Sequence, residues 1–199
     1  PSMVEKLRTG KNPYERYAYG QWLCHTQSDK KSLKTATECF RFASECGIAD
    51  ALQMLSHLYH VGEFYDESKD ALVLDRSASY SLNAEAIRKG SVLAKIKKNY
   101  NLFYEAMSFD DKKAAIAEAE KEAKIPGSST LWMEQLGWYY EDLERYDEAI
   151  EAYQKCIDEG LFHPLDRLAT IYLCQGKTEY YKKLMNKGIK MNVSECMAL

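Results

Sequence analysis

The sequence contains few of the residues that interrupt helices. Its 199 residues include only four prolines and ten glycines, whereas alanine, leucine, lysine, glutamate and tyrosine are frequent. Proline and glycine are the weakest helix formers, so their scarcity favours a chain of helices over a sheet protein. No apolar run approaches the roughly 18 residues that a membrane-spanning helix needs. This absence argues against a transmembrane span.

Common signatures of enzymes and of metal sites are also missing. The chain has no GxxxxGK, GxGxxG or GxSxG sequence, which removes the usual nucleotide-binding and hydrolase fingerprints. Six cysteines are present, but none forms a CxxC pair and most lie in apolar stripes with helical spacing. We therefore predict buried free thiols, a reducing compartment and no cofactor.

The net charge is small but unevenly distributed. A formal charge of −3 gives no general attraction to nucleic acid, because phosphate binding needs a dense basic surface. Residues 130–160 hold nine acidic and two basic residues, a net charge of −7, and residues 161–199 hold three acidic and six basic residues, a net charge of +3. These opposite fields favour a charged ligand or a second copy of the chain as partner, although charged helix faces are more often simply solvated.

Residues 130–160 have the pattern of one helix-turn-helix unit. Two stripes of residues with helical spacing mark the two helices. The first stripe is Leu136, Gly137 and Tyr140, and the second is Ala149, Tyr153 and Cys156. Gly160 is expected to end the second helix, because glycine readily adopts the left-handed conformation found there. The spacing resembles the tetratricopeptide repeat, in which Leu-Gly and Tyr are followed by Ala, an aromatic and a small residue.

The same spacing recurs along the chain. Markers of the first helix stand 36, 41, 40 and 32 residues apart, at Leu23, Tyr59, Tyr100, Tyr140 and Tyr172. Glycines at 47, 90, 160 and 188 are expected to end the second helices, and all but Gly90 have an aromatic residue seven positions earlier. One unit departs from the pattern, because Lys97 occupies the place of the small residue. Either that helix crossing is wider or the register is wrong.

A second resemblance is carried by residues 51–62. They follow the pattern AxxxLxxxYxxG and, with the glycine endings and variable period, resemble Sel-one-like repeats, relatives of the tetratricopeptide unit with an extended loop between the helices. The resemblance covers residues 14–190. It implies an all-α, right-handed α-solenoid of about five helix-turn-helix repeats, with short loops except near 62–75.

Local signals place the limits of this domain. Asn12 before Pro13, and Ser108 before Asp111, have the pattern of helix N-caps. We predict a tag remnant and lead-in at 1–12, a single helical-repeat domain at 13–190 and a tail at 191–199. The predicted units are 13–47, 48–90, 91–127, 128–160 and 161–190. We expect a cytoplasmic location, and a removed signal peptide is the alternative.

The resemblance also implies a function. In tetratricopeptide proteins the first helix of each repeat lines a concave groove that takes up extended peptides, so we predict a non-catalytic protein–protein interaction scaffold. Trp138 is the most distinctive residue on that face, and the competing interpretation is that it only packs against Trp132 or the next hairpin. The Lys/Asn set that holds a C-terminal carboxylate in some relatives is missing. The predicted groove residues are Tyr17, Gln21, His25, Gln53, His57, His60, Glu134, Trp138, Glu141 and Asp142.

Two alternative functions use other features. A small-ligand or metal pocket near His25, His57 and His60 would make the chain an enzyme-associated or regulatory module, but zinc needs three or four converging ligands. Cys24 and His25 do not form a catalytic pair, because adjacent helical residues do not face each other. Self-association through the oppositely charged segments is the third hypothesis. In the leading interpretation the partner is a protein or peptide, not nucleic acid or a membrane.

Overall fold

The computed structural model describes residues 2–190, and these form eleven helices and one short sheet. Helix α1 (Met3–Thr9) is followed by five helix pairs. The pairs are α2 (Pro13–Thr26) with α3 (Lys30–Glu45), α4 (Ala49–Val61) with α5 (Arg76–Arg88), α6 (Val92–Tyr104) with α7 (Phe109–Glu122), α8 (Ser129–Asp142) with α9 (Tyr146–Asp158), and α10 (Leu165–Cys174) with α11 (Thr178–Lys190). The predicted helical-repeat fold class is confirmed. The predicted tail at 191–199 lies outside the described residues.

The chain divides into two compact units, with the boundary between Lys95 and Ile96, inside α6. The first unit contains α1 to α5, and the second contains α7 to α11. A single repeat domain over 13–190, with the five unit limits given above, stays a prediction.

Both predicted helix caps are present. The Asn12 side chain accepts a hydrogen bond from the Tyr14 amide at 2.8 Å, and Glu15 accepts one from the Asn12 amide at 3.3 Å, which completes a capping box at the start of α2. The Ser108 hydroxyl accepts from the Asp111 amide at 3.2 Å at the start of α7. These bonds satisfy amides that the first turn of a helix leaves without a partner.

Glycine ends several of the helices, as predicted. Gly47 and Gly160 have φ of 94° and 91°, and the residue after each glycine donates back to the helix, as Leu161 does to the Cys156 carbonyl at 2.8 Å. This is the Schellman arrangement, which needs a left-handed residue. The prediction is wrong for Gly188, which is buried inside α11 while the helix continues to Lys190.

In the turn between α8 and α9 a glutamate occupies the left-handed position. Glu144 has φ of 57°, and the next amide, that of Arg145, donates to the Tyr140 carbonyl at 2.8 Å. For a residue other than glycine this conformation costs roughly 1–2 kcal/mol of free energy. The α8–α9 turn therefore carries a local strain that glycine would remove.

Replacing Glu144 with glycine is expected to raise the free energy of unfolding by about 0.5–1 kcal/mol, because relief of the strain exceeds the added entropy of the unfolded chain. Urea denaturation followed by circular dichroism measures it. Glu144→Ala is the matched control, since it removes the same charge but keeps the Cβ atom. Equal stabilisation by both variants would show that charge, not backbone strain, is relieved.

The two helices of a hairpin meet where a small residue faces an aromatic ring. A Cβ built on Gly20 would lie 2.8 Å from the Phe40 ring, and one built on Gly137 would overlap the Tyr153 ring. Phe40 and Tyr153 are the aromatic residues seven positions before Gly47 and Gly160, and both are fully buried. The predicted stripes are confirmed as packing surfaces in these two hairpins.

In the second hairpin, α4 with α5, hydroxyl groups take the place of the aromatic ring between the two helices. Asn83 stands where the aromatic residue is expected, and the small residue on α4 is Ser56. The buried Ser56 hydroxyl donates to the Ser79 carbonyl at 2.8 Å and lies 3.1 Å from the Ser79 hydroxyl. A hydrogen bond between small side chains thus replaces the ring.

The register predicted for α6 is wrong. Lys97 is exposed, with its ammonium 5.2 Å from the centre of the Tyr100 ring. The face turned inward instead carries Asn99 and Phe103, which are 1% and 0% exposed. Phe103 stacks on Tyr139 of α8 at a centroid distance of 4.0 Å. The predicted triplet of Ile96, Lys97 and Tyr100 has the right spacing but lies on a neighbouring face of the helix.

The long connection predicted near 62–75 is an antiparallel hairpin of β1 (Phe64–Asp66) and β2 (Ala71–Val73), with Phe64 opposite Val73. Phe64 and Tyr65 are buried. Ion pairs fix the hairpin to α3, with Lys30 at 3.1 Å from Asp70 and Arg41 at 3.1 Å from Glu67. The connection is therefore part of the first unit's packing.

The five cysteines within the described residues are all free. Cys39 and Cys156 are buried, and burial is the main cause that raises the pKa of Cys156 to about 12. Cys24 is half-buried, and its pKa is raised to about 11, again mainly by burial. Cys46 and Cys174 are exposed, so the prediction of burial is wrong for these two. Cys196 lies outside the described residues.

Candidate peptide-binding surface

In the first unit, the predicted groove residues of α2 contact one another. Gln21 donates to the Tyr17 hydroxyl at 3.2 Å, and the Tyr17 ring meets Phe40 edge-on at a centroid distance of 5.8 Å. Burial and the nearby Asp50 charge raise the pKa of Tyr17. Tyr17 thus packs against the core, while His25, about two turns further along α2, is exposed.

The predicted residues of α4 lie mainly at the surface. Gln53 is half-buried, and His57 and His60 are exposed. Residues 2–190 contain no group of three His, Cys, Asp or Glu side chains placed to hold a metal ion. The metal pocket considered near His25, His57 and His60 therefore has no ligand cluster in the part of the chain that the structure describes.

In the second unit, three predicted residues of α8 contact the segment that leads into and through α10. The Glu134 carboxylate lies 2.7 Å from Nδ1 of His163. One turn further along α8, the centre of the Trp138 ring lies 5.5 Å from the guanidinium carbon of Arg167. Arg167 also donates a hydrogen bond at 3.1 Å to Glu141, the next residue on this face of α8. We call these five residues the Trp138 surface: Glu134, Trp138, Glu141, His163 and Arg167.

Trp138 is half-buried, and only one part of its indole faces outward. Its Nε1 atom is buried and has no hydrogen-bond partner among the described residues, so the edge that carries Nε1 faces inward. A guanidinium over an indole face is an attractive cation–π contact. The ring is therefore held between the core and Arg167, and its role in a groove stays a prediction.

Glu141 links the Trp138 surface to the core of its hairpin. The buried Tyr153 hydroxyl donates to Glu141 at 2.7 Å, and the same carboxylate oxygen accepts from Arg167. Burial, followed by the hydrogen bond to Glu141, raises the pKa of Tyr153. The position of Arg167 is thus set by a carboxylate that is itself held in place.

Asp142, the last predicted residue, lies beside α6. It is exposed, and its carboxylate is, after burial, the main cause that raises the pKa of Tyr104. The Tyr104 ring packs against Tyr100 at a centroid distance of 4.4 Å, with the two rings tilted by 44°. The Tyr104 ring of α6 also meets Tyr139 of α8 edge-on, so aromatic side chains of α6 and α8 lie side by side.

The sequence interpretation missed His163, Arg167 and Tyr104. His163 and Arg167 are four residues apart around the start of α10, and each contacts a glutamate of α8. Tyr104 was missed because the register of α6 was wrong. The Arg167–Glu141 ion pair also joins the two oppositely charged segments, so part of their charge is neutralised within the second unit.

Two solved structures with a similar fold are described as an SLR-fold protein and a Sel1 repeat protein. A protective antigen of uropathogenic Escherichia coli that displays an SLR fold is similar over 97% of this chain and 41% of its own, with a TM-score of 0.54 and 16% identity. A Sel1 repeat protein from Oxalobacter formigenes is similar over 94% of this chain and 76% of its own, with a TM-score of 0.58 and 17% identity. The chain thus spans about two fifths of the length of the first protein. No protein-family model and no curated protein matches the sequence.

These similarities identify the class of protein as a helical-repeat protein and the particular fold as the Sel1-like repeat, an α-solenoid fold. The predicted resemblance to Sel-one-like repeats is confirmed at the level of the fold. Among residues 2–190, no helix has the length and apolar character needed to cross a membrane.

Proposed function

We propose that the protein is a non-catalytic interaction scaffold that binds a peptide or protein segment on the first helices of its repeats, with Trp138 as the anchor. The observation that carries the proposal is the fixed but partly exposed indole of Trp138 under the Arg167 guanidinium. Tryptophan and arginine dominate the binding energy of many interfaces. A side chain that is already ordered also loses little conformational entropy when a partner binds.

The charges of the Trp138 surface indicate what kind of segment fits. Glu134 and Glu141 remain partly accessible, with side-chain exposures of 16% and 25%, and both are paired with a basic group. Asp142 is exposed. A segment with an apolar side chain for Trp138 and hydrogen-bond donors for these carboxylates would match this pattern.

The residues of the first unit extend the proposal. Gln21, Gln53 and the exposed His25, His57 and His60 offer polar groups on α2 and α4, and a segment bound within the first unit would use them for specificity. The alternative of an enzyme-associated or metal-binding module is not supported by any ligand cluster in the described residues.

Replacing Trp138 with alanine is expected to weaken peptide binding about tenfold or more, because truncation of a central aromatic anchor typically costs 2 kcal/mol or more. Peptides are first selected from a random displayed library against the immobilised wild-type protein. Their affinities for wild type and variant are then measured by isothermal titration calorimetry, below the melting temperature of both.

Tyr80→Ala provides the control, since Tyr80 is an aromatic residue on α5 with 70% exposure outside the predicted surface. This variant is expected to bind the selected peptides like the wild type. Selected peptides that bind Trp138→Ala as tightly as wild type would contradict the Trp138 anchor. Failure of the wild type to enrich any peptide would contradict peptide binding itself.

A further inference from the structure

A cavity in the second unit, separate from the Trp138 surface, has a lining whose charged residues are mainly basic. It has a volume of about 880 Å³ and lies between α9, α10 and α11. Its lining contains one acidic residue among the described residues, Glu179. We call it the basic groove and define it by Tyr172, Tyr180, Lys182, Lys183, Lys187 and Lys190.

Within the described residues, two of the four lysines have no ionic partner for their charge. Lys182 pairs with Glu179 at 3.1 Å, and the Lys187 ammonium lies 5.8 Å from the centre of the Phe162 ring. Lys183 and Lys190 are exposed, and neither has an ionic partner within residues 2–190. Four lysines and one glutamate leave the lining with a net charge of +3. The groove therefore favours an anionic ligand.

The aromatic residues add an apolar wall to this cavity. Tyr172 and Tyr180 pack together at a centroid distance of 5.2 Å, and Tyr180 is 59% exposed. Leu184 also lines the cavity. A simple inorganic anion would leave this apolar surface unused, whereas a ligand with both carboxylates and an apolar side chain would cover it.

A similar cavity in the preceding hairpin is not basic, so basic charge is not a general property of the repeat. A cavity of about 540 Å³ lies between α7, α8 and α9, one hairpin earlier in the same unit. Its lining includes Glu120, Glu148 and Glu151, with Lys124 and Lys155 as the basic residues. The two cavities occupy corresponding places on successive helices but carry opposite net charge.

The geometry points to the basic groove as a second binding site, for a short acidic peptide segment that carries an apolar side chain between its carboxylates. Helix α11 has 13 residues and is about 20 Å long, which matches about six residues of extended chain. Residues 130–160, in the same unit, carry a net charge of −7. Their field opposes a long polyanion such as nucleic acid more strongly than a short peptide.

The basic groove is independent of the Trp138 surface. Arg167 and Tyr172 both belong to α10 but are five residues apart, which turns their side chains about 140° from each other around the helix axis. A partner on the basic groove would leave Trp138 accessible. Two sites on different helix faces would let the scaffold bring two segments together.

The test uses a fluorescein-labelled hexapeptide of alternating glutamate and leucine, titrated with the full chain at low ionic strength and followed by fluorescence anisotropy. The double variant Lys183→Glu/Lys190→Glu is expected to weaken binding about tenfold or more, because it replaces two attractive charges by repulsive ones. Lys124→Glu/Lys155→Glu changes the net charge equally on the preceding groove and is the matched control, with an expected loss below about threefold.

Two further variants separate the contributions. Tyr180→Ala is expected to weaken binding about threefold or more through lost apolar contact, and Trp138→Ala is expected to leave it unchanged. Circular dichroism confirms that every variant is folded. Equal losses in the two lysine double variants, or no saturable binding by the wild type, would overturn the proposal. Displacement of the peptide by a short oligothymidylate at lower concentration than by unlabelled peptide would assign the groove to nucleic acid instead.

Discussion

Gly137→Ala is expected to lower the free energy of unfolding by about 1–3 kcal/mol, the usual cost of overpacking a buried contact. The added methyl group would overlap the ring of Tyr153, which is fully buried and cannot move outward without breaking its hydrogen bond to Glu141. Urea denaturation monitored at the helical circular-dichroism band measures the change. Gly20→Ala is expected to act in the same direction in the first unit, against Phe40.

The physical cause is tested by removing the ring. In a Tyr153→Val background the same Gly137→Ala change is expected to stabilise the protein by up to about 1 kcal/mol, because alanine is the better helix former once the methyl group has space. The effect of one substitution thus reverses sign when its neighbour is changed. Destabilisation of similar size in both backgrounds would show that the small residue is needed for another reason than the approach of the two helices.

Asn99→Ala is expected to destabilise the protein by about 2–4 kcal/mol, since it combines a cavity with unpaired buried polar groups. Asn99 is 1% exposed and makes three hydrogen bonds. It donates to the Ala115 carbonyl at 3.0 Å and to Glu118 at 3.1 Å, and it accepts from the Tyr139 hydroxyl at 2.9 Å. The same urea denaturation measurement applies.

A double-mutant cycle separates the hydrogen bond from the packing. Tyr139→Phe alone leaves the Asn99 oxygen without its donor and is expected to cost about 1–2 kcal/mol. Asn99→Leu with Tyr139→Phe replaces both partners by apolar groups and is expected to cost less than the sum of the single changes. Strict additivity would mean that the buried hydrogen bond between α6 and α8 contributes no coupling energy.

Much of the fold could be predicted because its signals are local. The cap at Asn12, the glycine ends at Gly47 and Gly160, and the Leu136 and Ala149 stripes all depend on residues within a few turns of one another. Helical periodicity and capping act over this range. The prediction failed in α6, where two registers have similar spacing. It also failed at Gly188, which lies within a helix, because a glycine ends a helix only where the packing lets the backbone turn.

The candidate surface was less predictable. Glu134, Trp138 and Glu141 were found on one face of α8, because their spacing of four and three residues places them there. Their partners are separated by 26 residues for Glu141 and Arg167 and by 29 for Glu134 and His163. No periodicity of a single helix links positions in different hairpins. The sequence therefore indicated acidic and aromatic groups without showing that a basic side chain already covers part of them.

The sequence by itself determined that this protein is a chain of helical hairpins, and which small and aromatic residues join the two helices of the best-preserved hairpins. These features follow from backbone propensities and from a residue spacing that each segment carries within itself. Only the tertiary structure decided how neighbouring hairpins are matched. That matching places Arg167 over Trp138, hydrogen-bonds Tyr139 to Asn99 and gathers the lysines of α11 beside Tyr172. It depends on side chains packing between separate segments, and such contacts exist only once the hairpins are stacked.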